Sequence, residues 1–330
     1  FGIFLARGRY QQADEAITSF MSRESLFVWN NVMFTVACAS VLLGTLYPLA
    51  LDTFTGQKIT VGAPYFNIVM VPIFLLILAL MSVGPLVPWR KANLARLRVR
   101  LLWPAVIGIA AAAAMLVFLP RVHWTGPAGA GLAFFALANL VIEFARAIRQ
   151  RRAQLGEPLP RASLKTVLGN RRHYGGMIVH FGIVIIALGL VGSGLFRSEA
   201  AINIAPGDVV EIAGERLRFE GVAPVRGPNY EAMQARLTLL DSGRVVLPER
   251  RQYMRQEMPM TDVGLDSTIL RDVYVALGDA TGGGKWAVHV YVNPLVQLIW
   301  IGGGIIIAGL LLSLSGRRAN KNSVTADERG

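Results

Sequence analysis

Six stretches of this chain run for about 20 or more residues with almost unbroken apolar side chains, the length a helix needs to cross a bilayer's hydrocarbon core. They are 27–51, 66–89, 101–120, 127–148, 176–196 and 294–315; the fourth is the weakest, because Asn139 and Glu143 interrupt it. In lipid every backbone N–H and C=O must be satisfied within the segment itself, so each run is expected as a helix. The composition agrees. Hydrophobic residues make up 53% and charged residues only 16%, where a soluble domain is about a quarter charged. The expected fold class is a polytopic α-helical membrane protein with about six transmembrane helices and one small β-rich domain.

The basic residues decide the orientation, since connections rich in Lys and Arg stay cytoplasmic. Segment 90–100 carries Arg90, Lys91, Arg96, Arg98 and Arg100. Segment 149–172 carries Arg149, Arg151, Arg152, Arg161, Lys165, Arg171 and Arg172, and the tail carries Arg317, Arg318, Lys321 and Arg329. The opposite connections hold only Lys58 and Arg121. Both termini are therefore expected inside and residues 197–293 outside. The expected order is a cytoplasmic segment 1–26, five spans over 27–196, the outer domain 197–293, a last span 294–315 and a cytoplasmic basic tail 316–330. The net charge of +12 reads as this asymmetry, with Arg171 and Arg172 anchoring the fifth span or facing lipid phosphates or the propionates of a haem; no nucleic-acid-binding motif accompanies it. The chain opens on Phe1, and FGIFLARGR has no signal-peptide pattern. It reads as the end of an earlier apolar segment, so a fragment or one half of something larger is expected.

Residues 197–293 alternate and turn often. AINIAPGDVVEIAGERLRFEGV reads as two or three strands joined by Pro-Gly and Ala-Gly turns, and EAMQARLTLLDSGRVVLPERRQYM as a hairpin turning at Asp241-Ser242-Gly243. DVYVALGD and WAVHVYV flank Thr281-Gly282-Gly283-Gly284. A small barrel or sandwich is expected, suited to docking or covering rather than catalysis, and no catalytic residue is identified.

The lone Cys38 excludes an internal disulfide and reads as a buried, inert thiol. Among the four histidines His180 stands out, about one turn inside the fifth span, where an ionisable group is a functional candidate by default. Neutral imidazole is a good axial ligand for haem iron. Gly175, Gly176 and Gly182 would let a flat macrocycle or another helix come close. The residues alone leave open whether His180 is such a ligand or is hydrogen-bonded to a neighbouring helix. His173 reads as part of a solvated basic edge, His123 as a loop residue beside the interfacial Trp124, and His289 as an alternating strand position. No pair has metal-ligand spacing. Glu143 and Arg146, three apart, could neutralise each other. Gly302-Gly303-Gly304 reads as a helix-packing feature.

The strings SRESLFVWNN, LLGTLYPL, VGAPYFN, RRHYGGMIVHFG, MPMTDVGLDSTILRDVYVALGD and WAVHVYVNPLVQLIWIGG occur in this order. Together they make the chain resemble the C-terminal half of CcmF, the large membrane subunit of the cytochrome c maturation haem lyase. The resemblance extends over nearly the whole chain. It implies an inner-membrane protein with a periplasmic β-rich domain, handling haem delivered by a periplasmic haem chaperone. It implies covalent attachment of that haem to the CxxCH motif of apocytochrome c, with a thiol-reducing maturation subunit as a further partner. It also implies a b-type haem held between two membrane histidines, of which the position matching MIVHFG is His180. The family's tryptophan-rich segment, the two external histidines beside it and the second membrane histidine belong to the N-terminal half. The second axial ligand is therefore expected from that half. Two readings stand: a haem-lyase component holding part of a b-haem site, and a non-catalytic membrane scaffold whose outer domain docks assembly partners. A transporter is disfavoured, because no inverted repeat is evident.

Overall fold

The computed structural model describes residues 22–87, 94–254 and 258–316. Arg90, Lys91, Arg317, Arg318, Lys321, Arg329 and residues 1–21 lie outside the described residues. The described chain forms two compact units that divide between Arg171 and Arg172.

The first unit is helical: α1 (Arg23–Thr55), α2 (Ala63–Val83), a short 3-10 turn (Gly84–Leu86), α3 (Leu94–Phe118), α4 (Thr125–Leu155) and α5 (Leu159–Gly169). α1 starts where the Ser22 hydroxyl accepts the Ser25 N–H at 3.2 Å, an N-cap for otherwise orphaned donors. Pro48, Pro72 and Pro104 sit inside α1, α2 and α3, a pattern better tolerated in membrane helices than in water-exposed ones. Large apolar side chains point outward: Leu43 is 65% exposed, Ile68 75% and Val117 73%. With lipid rather than water outside, this costs nothing, and packing relies on small residues and polar contacts. A Cβ on Gly108 of α3 would meet the Gly131 carbonyl of α4 at 2.6 Å, so these backbones touch. The Tyr65 hydroxyl of α2 donates to Ser40 O of α1 at 3.1 Å. Asn139 of α4 is buried and donates, at a long 3.4 Å, to Ser82 O of α2. The polar residue that weakened the fourth run is thus an interhelical tie. The Glu143–Arg146 pair forms at 2.7 Å. Cys38, expected buried, is exposed on α1; within an apolar span, lipid can cover a thiol that protein does not.

The second unit holds α6 (Arg171–Leu195), ten strands and α7 (Gln297–Leu314). With α1 to α4 these make, among the described residues, six helices long and apolar enough to cross a membrane, and the chain is a multi-pass membrane protein. The strands are β1 (Ser198–Ile204), β2 (Val209–Ile212), β3 (Glu215–Arg226), β4 (Tyr230–Leu239), β5 (Val245–Val246), β6 (Glu249–Tyr253), β7 (Met260–Asp262), β8 (Gly264–Ser267), β9 (Arg271–Gly282) and β10 (Lys285–Pro294). They form two antiparallel sheets, β1-β10-β9-β8 and β2-β3-β4-β6-β7, with β5 beside β4. Their facing sides make a core in which Leu217, Phe219 and Leu237 pack with Val273, Val275 and Val290. Tight turns set the registers. Gly283 and Gly284 at φ 61° and 77° close the β9–β10 hairpin, a conformation whose twist matches the strands. The sequence signals for β1 to β6, β9 and β10 are realised; β7 and β8, in MPMTDVGLDSTIL, were not anticipated.

Between α4 and α5 one carboxylate gathers three cations. Glu157 accepts from Arg151 and Lys165, both at 2.8 Å, with Arg161 at 3.9 Å. Hydrogen bonds from Arg151, then Lys165, lower its pKa from 4.5 to about 2. A carboxylate depressed in the folded state adds stability that is complete above its unfolded pKa and disappears as pH falls through the folded one. In thermal unfolding of the detergent-solubilised protein, wild type should exceed Glu157→Gln by a constant margin above pH 4.5. That margin should close between pH 4.5 and about 2.

Candidate functional site

The site is built on the pairing of α6 and α7. Gly175, Gly182 and Gly189 repeat every seven residues on α6, and Gly302 and Gly309 do so on α7. A Cβ placed on Gly175 would lie 2.7 Å from Gly309 O, and one on Gly182 would lie 2.7 Å from Gly302 O. The reverse tests agree: from Gly302 to Gly182 O is 2.6 Å, and from Gly309 to Gly175 O is 2.8 Å. Nearer the sandwich, Gly192 would meet Leu295 at 2.7 Å. The two backbones therefore touch along an antiparallel seam with a seven-residue period, the period of a left-handed supercoil. Of the glycine triplet in α7 only Gly302 belongs to the seam, since nothing lies within 4 Å of a Cβ at Gly303 or Gly304.

This seam fixes the direction of His180. Two residues from Gly182, it lies about 200° round the helix, on the side turned away from α7. There it is half-buried. Gly176, one turn earlier and about 40° away, shares that side, and nothing lies within 4 Å of a Cβ built on it. The glycines around His180 thus divide: Gly175 and Gly182 admit α7, while Gly176 leaves the His180 side open. A half-buried imidazole beside an open glycine fits one axial bond to the iron of a flat macrocycle.

The remaining histidines do not converge on it. His173 is exposed on the same helix side, seven residues or about 10 Å away, with its ring edge-on to Tyr174 at 5.0 Å. Two ligands on one helix at that separation cannot occupy opposite faces of one iron. His123 lies in the α3–α4 connection, its Nδ1 2.9 Å from Thr125 Oγ1 and its ring 5.7 Å from that of Trp124. His289 is on the outer side of its sheet, between Ala201 and Ala276. Among the described residues no group of three His, Cys, Asp or Glu side chains could hold a metal ion. Arg171 and Arg172 are exposed at the start of α6. They sit at the positive end of the helix dipole, so the dipole does not account for them.

The sandwich spends its charge on structure. Arg271 makes a two-pronged pair with Glu215 at 2.5 and 2.7 Å and a third bond to buried Asp266 at 2.5 Å. Burial disfavours its charge, but the bonds to Asp266 and Glu215 outweigh that and raise its pKa. One structural tie escaped the sequence reading. Buried Asp272 on β9 accepts from Gln297 at the head of α7, with both oxygens at 3.0 Å. The amide opening an apolar run was the available signal.

A family model described as the CcmF C-terminal beta-sandwich matches residues 195–294. A cytochrome c-type biogenesis protein CcmF from Pseudomonas fluorescens is 38% identical over 302 residues, covering 90% of this chain and 44% of that protein. The cytochrome c-type biogenesis protein CycK of Rhizobium meliloti is 34% identical over 326 residues, covering 96% and 47%. The solved structure of a cytochrome c heme lyase CcmF superposes with a TM-score of 0.71 at 25% identity, covering 90% of this chain and 46% of that one. The chain spans about half the length of the curated relatives it matches.

The seam makes a sharp contrast between neighbouring glycines. Gly302→Ala places a methyl group against the α6 backbone and should cost about 1–3 kcal/mol, read as lower thermal stability and faster proteolysis in detergent. Gly304→Ala, with open space at its Cβ, should leave both within error of wild type.

Proposed function

Because the chain belongs to the CcmF family and matches its C-terminal part, we propose that it serves as a component of the haem lyase of cytochrome c maturation, with His180 as one axial ligand of a membrane b-type haem. The observation that carries this is the placement of His180 beside open Gly176 on the side of α6 that faces away from α7. A haem, when bound there, supplies an iron centre that can change oxidation state. His180 provides a neutral imidazole lone pair and fixes the height of the ligand in the span. Gly176 keeps the side chain-free space that a planar group needs beside the ring. The seam with α7 holds α6 in one rotational setting, so the imidazole keeps its direction. The second ligand comes from the family's N-terminal half, because a low-spin b-type haem needs a ligand on each face and His173 cannot supply one.

The same reading sets the surroundings. The membrane is the bacterial inner membrane, both ends of the chain are cytoplasmic, and the sandwich is periplasmic. There the sandwich meets apocytochrome c, the haem chaperone and the thiol-reducing subunit. The whole complex, rather than this chain alone, joins haem to the CxxCH motif.

Two experiments test the proposal. Co-expressed with the part of a CcmF relative that this chain does not match, the protein should show a six-coordinate b-type spectrum, while the chain alone binds haem poorly or in high-spin form. His180→Ala should abolish or strongly shift that spectrum, and Gly176→Leu should weaken it. His173→Ala, His123→Ala and His289→Ala should leave it intact. An unchanged spectrum in His180→Ala would favour the scaffold reading instead. For orientation, in a Cys38→Ser background, Ser242→Cys should react with an impermeant maleimide in intact cells. Ser163→Cys should react only after lysis, and the opposite pattern would reverse the topology.

A further inference from the structure

α5 is the one described helix of the first unit that is not long enough to span a membrane, at 11 residues. Its inner side is settled: Ala162 and Thr166 are buried. Its outer side carries Arg161, Leu164, Lys165 and Leu168, which fall within about 100° of one another at helical spacing. Leu164 is 60% exposed and Leu168 43%. Two exposed leucines run beside two cations on this face, whose leucines pack against nothing large among the described residues; such a face calls for a surface that is apolar and anionic at once.

The chain's path says which surface that is. α4 ends at Leu155 and α6 begins at Arg171, so α5 is tethered by three residues on one side and one on the other between two membrane-spanning helices. It cannot leave the end of the spans, where phospholipid headgroups are. The charge is complementary. Residues 149–172 hold seven bases, Arg149, Arg151, Arg152, Arg161, Lys165, Arg171 and Arg172, against one acid, Glu157. That acid is already engaged by Arg151 and Lys165. Arg149 and Arg152 are exposed on the last turns of α4.

We infer that α5 lies in the headgroup layer as an anionic-phospholipid site, with Arg161 and Lys165 on phosphate oxygens and Leu164 and Leu168 in the acyl boundary. Lysine and arginine near such a surface each contribute attraction to anionic lipid, and an apolar helix face adds to it. Glu157 tempers the site: it competes with phosphate for Lys165 and keeps the cations splayed along one side. This goes beyond the haem-lyase reading and does not depend on it.

The test uses the full chain in nanodiscs of phosphatidylcholine with phosphatidylglycerol. Nitroxide labels at Leu164→Cys and Leu168→Cys, in a Cys38→Ser background, should be accessible to oxygen and shielded from a water-soluble nickel chelate. A label at Gln57→Cys should show the reverse. Phosphatidylglycerol retained through detergent exchange, counted by mass spectrometry, should fall roughly fivefold for each cation removed in Arg161→Gln and Lys165→Gln. Glu157→Gln should raise it. The inference is overturned if the labels at 164 and 168 are as open to the chelate as that at 57, or if retention is insensitive to both cations. It is equally overturned if shielding appears only when a protein partner is added, which would make this a protein-docking face.

Discussion

Everything in the second unit depends on how closely two backbones approach. Helices ordinarily pack about 8–10 Å apart, whereas neighbouring strands lie about 4.7–4.9 Å apart. Here α6 runs into β1 and β10 runs into α7, and β1 and β10 are direct ladder partners from Ser198↔Val292 to Ile204↔Trp286. The helix pair must narrow to meet the strand pair. Gly175, Gly182 and Gly192 on α6, with Gly302 and Gly309 on α7, make that narrowing sterically feasible. The seam and the ladder are one continuous antiparallel contact, helical on one side of residue 196 and extended on the other. His180 inherits its direction from it.

Much of this was legible in the sequence. Length and apolarity announce the six helices, and alternation punctuated by Pro206-Gly207, Ala213-Gly214 and Gly283-Gly284 announces most of the strands. These signals are local, and the forces behind them are local too. Partners were not legible. The triplet Gly302-Gly303-Gly304 looks uniform on paper, but only helical phase against α6 selects Gly302. Gly175 and Gly176 are adjacent and chemically identical, yet 100° of rotation gives one to a helix and the other to open space. Strands β7 and β8 were hidden because, unlike the equally short β2 and β5, they have no Pro-Gly, Ala-Gly or Asp-Ser-Gly turn to set them off. Cys38 was misjudged because burial rules drawn from water-soluble proteins do not hold where lipid is the solvent.

His180 shows the same division at the level of chemistry. Its rarity as an ionisable group inside an apolar run makes it conspicuous, and family resemblance adds the idea of a haem ligand. Neither says which way the ring points. The seam supplies that, while the spacing along the helix sets His173 apart, since it shares the helix side but lies about 10 Å along the axis. The polar ties elsewhere, Asn139 to Ser82 O and Asp272 to Gln297, are the quieter counterpart. Each interrupts an apolar pattern or adjoins one, and each holds an element in place rather than acting on a ligand.

The sandwich is joined to the membrane by two strands that are bonded to each other, not by one linker. β1 and β10 enter α6 and α7 within three residues, the Asp272–Gln297 bond clamps one entry, and Leu270 O accepts the Leu295 N–H at 2.8 Å beside it. A body hung from a single chain can swivel; one hung from a paired ladder has no free hinge. Torque applied to the sandwich is carried through both strands at once into the helix that bears the imidazole, as in a key whose bow and blade are one piece.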